Sequence, residues 1–377
     1  MRILFWTDPF WPCIGGVERL AVPFVRAMAV HGHQVLVITN QQKSADAQEI
    51  DLKGSQIVRL PMLEALDKRN PAELIDVQVK IGKLIRDFRP DVVHLFAAML
   101  SAYFYARNYR KIRCPILFTE QTGWFRLETP NSLQRQVMES ADWYSTCSLA
   151  NARALGSLFP KTTDTMSVIM NGIDFSREYA YSDLPTDPPI LLCMGRHQLS
   201  QKGFDLAVAA MPAILQRFPR ARLLIAGDGQ DRKHLESMVV EMGLSANVEF
   251  AGWVHPDRVP ALIAKVTLMI VPSRFDPFGL VAAETGAAFR PCVASDVGGL
   301  AEIIEDGRTG RLVKPEDPAA IAEAVCELLA KPQALGTMGK AAHERVSRLF
   351  RFERFVQEYE ELYEKLVKSF PSRIHDR

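Results

Sequence analysis

The chain lacks paired cysteines, long hydrophobic runs, any sizeable net charge and a G-x-G-x-x-G fingerprint, and each absence closes off a class of function. Its six cysteines, Cys13, Cys114, Cys147, Cys193, Cys292 and Cys326, form no C-x-x-C pair and have no histidine or cysteine partner at metal-ligand spacing. They read as reduced, mostly buried thiols rather than as a disulfide framework or a zinc site. No stretch approaches the ~20 apolar residues that span a bilayer. The N-terminal run MRILFWTDPFW is too short for a signal peptide and is broken at once by Asp8 and Pro9. A cytoplasmic protein is expected, with a place at the inner face of a membrane left open. A formal charge of +1 gives no electrostatic footprint for nucleic acid. Without the dinucleotide fingerprint, an NAD-dependent oxidoreductase loses its main sequence support.

What is present has the size of two domains. At 377 residues the chain exceeds one ordinary core, at ~100–200 residues per domain. A composition of 48% apolar and 24% charged residues sets it among globular rather than disordered proteins. Short apolar runs alternate with amphipathic stretches, the pattern of parallel sheets covered by helices. Strands are expected over 2–7, 34–39, 57–60, 92–96, 115–119, 143–147 and 167–170. A helix over 73–88 places Leu74, Val77, Ile81, Leu84 and Phe88 on one face and is stopped by Arg89-Pro90. The pattern lapses over 179–189, where three prolines read as a linker.

A second series follows, with strands over 190–194, 222–226, 248–250, 268–271, 292–295 and 310–313. Its helices are expected over 205–218, 231–242, 259–264, 280–288 and 318–329. The fold class is α/β: two doubly wound Rossmann-like domains, residues 1–182 and 188–351, facing across a cleft and binding ligands outside the carboxyl ends of their strands. The aromatic-rich helix over 351–368 fits two placements equally, on the second domain or back on the first.

Four groups of residues carry chemistry. Gly15-Gly16 stands between a strand and a helix, where exposed amides and the helix dipole suit an anion, although such a turn usually only reverses the chain. Arg196 and Lys202, in MGRHQLSQKGFDL, suit a diphosphate whose charge grows as it leaves a sugar, although exposed cations are more often merely solvated. The stretch SRFDPFGLVAAE sets Asp276 and Glu284 eight positions apart around Phe278, Gly279, Leu280 and Val281. One acid can accept hydrogen bonds from a hexose and the other from a ribose, and the Gly279 and Leu280 amides at a helix start can meet a phosphate. The simpler alternative makes Asp276 a helix cap and Glu284 a surface acid. Glycine turns in AGDGQDR and AGWVHPDRV close two strands, and Gly252-Trp253-Val254 can offer backbone groups to a nucleobase edge, although ordinary loops explain either turn equally well.

In their order these motifs resemble one family, the retaining glycosyltransferases of GT-B fold. The matching segments are Gly15-Gly16-Val17-Glu18, NGID from Asn171, GR…KG from Arg196 to Gly203, GDG from Gly227, FAGWV from Phe250, PSRFDPFGLVAAE from Pro272 and SDVGGLAEII from Ser295. The resemblance covers essentially the whole chain. It implies a hexosyltransferase that takes a UDP or GDP sugar as donor and a hydroxyl of a glycan or lipid-linked molecule as acceptor. Arg196 and Lys202 would hold the diphosphate, Glu284 the ribose hydroxyls, and Asp276 with the backbone of Phe278 and Gly279 the donor sugar. Amides near Leu280 and Val281 would meet phosphate, as would Gly15 and Gly16 from the first domain. The acceptor hydroxyl would attack from the face the diphosphate leaves, with no protein nucleophile, no metal and no cofactor. No Asp-x-Asp site argues for a metal. The segment 352–377 would pack back on the first domain. No nucleic-acid partner is expected, and nothing in the sequence specifies an oligomeric state.

The chain departs from the family in several places. The first acid of the usual pair is a glutamate, here the shorter Asp276. Where a histidine commonly meets the donor sugar, FTEQTGW has Gln121, which hydrogen-bonds but cannot carry an imidazolium charge; His94 in DVVHLF is a candidate to compensate. Phe289 replaces a usual glycine, and the loop from Arg196 to Gly203 carries His197 and is one residue longer than the commonest form. For the acceptor, Trp124, Phe125 and Arg126 can form a platform under a sugar ring, with loop packing as the plainer role. Segment 103–113 mixes tyrosines with basic residues, as a helix on an anionic membrane does, or a solvated helix face. The competing function is a non-catalytic nucleotide-sugar-binding relative, in which Gln121 and Asp276 mark lost activity.

Overall fold

A computed structural model describes residues 1–8, 10–12, 15–41, 51–97, 100–108, 112–123, 133–175, 179 and 181–370. They fall into two units, Met1–Ile169 with Phe355–Arg377, and Met170–Arg354.

Unit 1 runs β1 (Arg2–Trp6), α1 (Gly16–Val30), β2 (Gln34–Asn40), β3 (Gln56–Leu60), α2 (Met62–Lys68), α3 (Pro71–Phe88), β4 (Val92–Phe96), α4 (Ala102–Asn108), β5 (Ile116–Glu120), α5 (Leu133–Glu139), β6 (Trp143–Thr146), α6 (Leu149–Leu158) and β7 (Met166–Val168). The strand order is β3-β2-β1-β4-β5-β6-β7. β1 pairs in parallel with β2 on one side and β4 on the other. Both central strands are buried on their two faces, which is why they read as unbroken apolar runs. α3 starts where Asn70 accepts the Ala72 amide at 3.0 Å, with Pro71 in the first turn. It ends at Arg89, in the left-handed region ahead of Pro90. Its buried stripe is Val77, Ile81 and Ile85, with Leu74, Leu84 and Phe88 at the margin. Two of the three aromatic residues of α4, Phe104 and Tyr105, are fully buried, and Tyr103 is half-buried. The exposed aromatic and basic face read over 103–113, on a membrane or in solvent, is therefore corrected at Tyr105, which lies in the core, while Tyr109, Arg110 and Lys111 lie outside the described residues.

Unit 2 runs β8 (Ile190–Met194), α7 (Leu199–Lys202), α8 (Phe204–Arg217), β9 (Arg222–Ala226), α9 (Arg232–Glu241), β10 (Val248–Gly252), α10 (Val259–Ile263), β11 (Leu268–Val271), α11 (Leu280–Ala287), β12 (Cys292–Ser295), α12 (Leu300–Ile303), β13 (Gly310–Val313), α13 (Pro318–Leu329) and α14 (Pro332–Leu349). Its strand order is β10-β9-β8-β11-β12-β13, again parallel. The stretch 179–189, expected as a linker, belongs to this unit. The buried Arg290 guanidinium holds it there, donating to the Ser182 carbonyl at 3.0 Å and the Ser182 hydroxyl at 2.6 Å as well as to the Val266 carbonyl at 2.8 Å. Dipoles replace much of the water around this charge, and burial lowers its pKa against the opposing pull of Tyr181 and Asp183.

α15 (Phe352–Ser369) leaves unit 2 and packs on unit 1, its Phe355 and Tyr359 rings 5.6 and 5.3 Å from Phe24. Beneath it lies a closed polar network. His94, fully buried, bonds Tyr363 Oη at 2.5 Å through Nδ1 and Thr119 Oγ1 at 2.6 Å through Nε2. The expectation that His94 meets a sugar is thus corrected: both ring nitrogens are occupied within the core. Burial keeps the ring neutral and moves its pKa down to about 3. In the unfolded chain a histidine takes its proton near ~6.5. The neutral ring therefore stabilises the native state fully above that pH and progressively less below it, by about 1.4 kcal/mol per unit until the folded pKa is reached. Between pH 6.5 and 4.5 the urea midpoint of the wild-type chain should fall more steeply than that of His94→Gln, which keeps hydrogen-bonding capacity without the titration. Equal slopes would remove His94 as the source.

Candidate active site

In unit 2 the strand order reverses between β8 and β11, and at such a switch point the loops after two neighbouring strands diverge and leave a crevice at their carboxyl ends. The loop after β8 carries Arg196 and leads into α7, which ends on Lys202. The loop after β11 carries Asp276 and leads into α11, which holds Glu284 one turn in. Sequence-distant residues thereby meet: Lys202 Nζ donates to Asp276 Oδ2 at 2.8 Å, with side chains 20% and 8% exposed. Asp276 Oδ1 accepts the Gly279 amide at 2.8 Å, so this residue does brace the start of α11 as well as pairing with a cation. That amide is accordingly taken, a correction to its expected availability for a phosphate. The next amides, of Leu280 and Val281, begin the helix and have no carbonyl a turn behind them within it. Glu284 is 3% exposed, which rules out a surface acid. Arg196 is exposed, and among the described residues no carboxylate pairs with it.

Close backbone packing sets this geometry. Gly203, with φ +61°, ends α7; a Cβ there would lie 2.1 Å from the Pro272 carbonyl oxygen. Gly298, with φ +52°, passes under the Asp276 carbonyl so closely that a Cβ would lie 2.0 Å from its oxygen. Sequence reasoning missed a further strap. Arg274 holds Asp205 with Nη1 and Nη2 at 2.7 and 2.8 Å, the Leu199 carbonyl with Nη1 at 2.7 Å and Glu316 with Nε at 2.6 Å. These charge-assisted bonds raise its pKa further, and the bidentate fork clamps the Asp276 loop onto α7 and the start of α8. The signal was in the string, Arg274 two residues before Asp276 and Asp205 three after Lys202, but nothing in one dimension pairs them.

At the edge of the sheet Gly252 ends β10 with φ +68°, its carbonyl accepting the Gly227 amide at 2.7 Å. Trp253 is 54% exposed and Val254 half-buried. His197 is buried between the edges of Phe204 and Phe250, at 5.7 and 6.3 Å, and burial lowers its pKa. Phe278 is buried against Phe350 at 5.7 Å. Phe289 accounts for the glycine usual in its place, because its φ is +58°, a left-handed conformation that favours glycine. Here the ring stacks on His343 at 3.6 Å, a contact a glycine cannot make.

In unit 1, Gly15 is extended and precedes α1, and a Cβ at Gly16 would meet nothing within 4 Å. Gln121 follows β5 and is 6% exposed. The neighbouring Glu120 shapes the turn: its Oε1 accepts the amides of Thr122 and Gly123 at 2.6 and 2.8 Å, while burial pushes its pKa up. Trp124 lies outside the described residues. Among the described residues no cluster of His, Cys, Asp and Glu is placed to hold a metal ion, and no helix is long and apolar enough to cross a membrane.

Residues 14–177 match the family described as Glycosyltransferase Family 4, and residues 188–331 the one described as Glycosyl transferases group 1. The chain is 30% identical over 357 residues to an uncharacterized glycosyltransferase of Methanocaldococcus jannaschii, a match covering 87% of this chain and 89% of that one. It is 28% identical over 377 residues to the glycogen synthase of Mycobacterium tuberculosis, covering 92% and 90%. Among solved structures, the sucrose-phosphate synthase of Thermosynechococcus elongatus is similar in fold, with a TM-score of 0.80 at 23% identity over 98% of this chain and 100% of that one.

Proposed function

Because this chain belongs to the group 1 glycosyltransferases and shares their GT-B fold and use of nucleotide sugars, we propose that it moves a hexose to a hydroxyl acceptor with retention at the anomeric carbon. The observation that carries this reading is the Lys202–Asp276 pair at the switch point, beside the exposed Arg196. Lys202 and Arg196 are the diphosphate ligands: two cations at strand ends stabilise the charge that builds as the sugar–phosphate bond breaks. In the pair Lys202 neutralises Asp276. A diphosphate, more highly charged, draws Lys202 toward itself and frees Asp276 Oδ2 to accept from a sugar hydroxyl. Glu284 takes the ribose hydroxyls, the Leu280 and Val281 amides a phosphate oxygen, and Gly252-Trp253-Val254 the base. The acceptor oxygen bonds to the anomeric carbon on the face the diphosphate leaves, and its proton passes to a leaving phosphate oxygen. Positioning and leaving-group stabilisation then supply the catalysis without a metal or a protein nucleophile. The acceptor is a glycan or a lipid-linked hydroxyl.

A thermal-shift screen of UDP- and GDP-hexoses tests the donor site. A ligand at a hundredfold excess over its Kd stabilises the native state by about 2.7 kcal/mol, and at least one should raise the melting temperature by a few degrees, roughly 2–4 °C. The shift should disappear in Arg196→Ala/Lys202→Ala. If no nucleotide sugar moves the transition, the donor assignment fails. A shift without hydrolysis or transfer would favour the non-catalytic binding protein suggested by Gln121 and Asp276.

A further inference from the structure

A cavity of about 480 Å³ opens in unit 1 at the amino ends of β1, β4 and β5, the opposite end of the strands from Gly15 and Gln121. Five charged residues line it: Arg2, which opens β1; Arg86 and Arg89, in the last turn and at the C-cap of α3; Asp91, just before β4; and Arg113, shortly before β5. Asp91 is spoken for, since its Oδ2 accepts the Arg2 amide at 2.7 Å and its Oδ1 the Arg2 guanidinium at 2.9 Å. Arg86, Arg89 and Arg113 are exposed, and among the described residues none of them meets a carboxylate.

Helix ends account for part of this charge. The carboxyl terminus of α3 lies on the rim, and that of α15 reaches it through Val367 and Phe370; each carries about half a negative charge. Set against three guanidinium groups that meet no carboxylate among the described residues, and with the Asp142 carboxylate counted, that leaves an excess of about one positive charge. The nearby Asp142 carboxylate accepts the Ile116 amide at 2.9 Å. Cys114 in the wall adds no charge, its pKa being pushed up to about 12 by burial and by Asp91 and Asp142. Ile85, Ile112, Val367 and Phe370 supply apolar lining.

We propose that this cavity is a second ligand site, separate from the strand-end site of unit 2, that binds a phosphate ester through Arg86, Arg89 and Arg113 with the ester's carrier against the apolar lining residues. Guanidinium forks match phosphate oxygens two at a time. The volume lies in the range of small-molecule sites and far exceeds one phosphate, so the ligand is a phosphate on a carrier. Two sources offer that chemistry, a soluble phosphorylated metabolite and the headgroup of an anionic phospholipid. The site stands independently of the donor-site reading.

The test uses the full chain carrying Arg196→Ala/Lys202→Ala, which removes the cationic side chains expected to hold phosphate at the other site. Calorimetric titration with inorganic phosphate and glycerol phosphate, and co-sedimentation with vesicles of equal parts phosphatidylglycerol and phosphatidylcholine, form the two arms. Saturable binding of glycerol phosphate tighter than of inorganic phosphate, weakened roughly tenfold or more by Arg86→Ala/Arg113→Ala, supports the site and a soluble source. Vesicle binding lost in the same variant and in higher salt, without soluble binding, supports the site and a lipid source. Both arginines are exposed, so the variant should melt as the parent does; Arg86→Glu/Arg113→Glu repeats the test by charge reversal. No binding in either arm, or binding that both variants retain, overturns the proposal.

Discussion

Replacing Lys202 by alanine is expected to lower the rate of sugar transfer at saturating donor by about 10²–10³-fold, the usual cost of deleting one preorganised group that meets developing charge. Arg196→Ala should act in the same direction. The two differ in what they leave behind. Arg196 is exposed and unpaired by carboxylate among the described residues, so its loss strands nothing. Lys202→Ala leaves Asp276, 6% exposed, with the Gly279 amide but without its cation. Lys202→Ala should therefore also lower the melting temperature, and adding Asp276→Asn should restore stability without restoring turnover. Steady-state rates and thermal melts on the two single variants and the double variant separate these effects. A near-normal rate for Lys202→Ala in a folded chain would exclude it as a diphosphate ligand.

Gly298→Ala should be among the most damaging single methyl groups in unit 2, destabilising it by on the order of 2–5 kcal/mol. Two costs combine there. The φ of +52° is disfavoured for any residue with a Cβ, by about 1–2 kcal/mol. The new atom would also lie 2.0 Å from the Asp276 carbonyl oxygen, and relieving that overlap moves backbone, at about 1–3 kcal/mol or more. Gly307 is the natural control, with φ +74° but nothing within 4 Å of an added methyl, so Gly307→Ala should show the conformational cost alone. Denaturant unfolding of both variants measures the difference. Because the displaced backbone carries Asp276, any folded Gly298→Ala should also bind nucleotide sugar less tightly, and an unchanged affinity would dissociate this loop from the donor site.

Much of the fold was legible because parallel strands buried on both faces stand out as short apolar runs, as RILFW, VVHLF and LMIV do. The helix over 318–329 was legible from its ends, with Asp317 accepting the Ala320 amide at 3.0 Å and a proline opening the first turn. α14 went unread, since Gly336 and Gly339 weaken its helical signal. At Gly339 the glycine serves packing, for a Cβ there would lie 2.2 Å from the Phe289 carbonyl oxygen. Within the site, motif order picked out Arg196, Lys202, Asp276 and Glu284, but only the strand order explains why two loops some seventy residues apart converge. His94 misled because a histidine in an apolar strand looks the same on the page whether its partner is a ligand or a tyrosine more than two hundred residues away. The stretch 179–189 has the prolines of a linker, and only the buried Arg290 shows that it is packed structure.

The placement of α15 has a consequence for the making of the protein. Unit 1 is interrupted by the whole of unit 2, and the side chains that close its core, Phe355, Tyr359 and Tyr363, are translated after unit 2 is complete. At ~5–20 residues per second a ribosome needs on the order of 10–40 s to cross that insertion. Throughout that interval Phe24 and His94 lack the cover that α15 later supplies, while unit 2 has all of its own sequence and can fold first. The nascent species that shows aromatic surface to a chaperone is therefore the half emitted earliest.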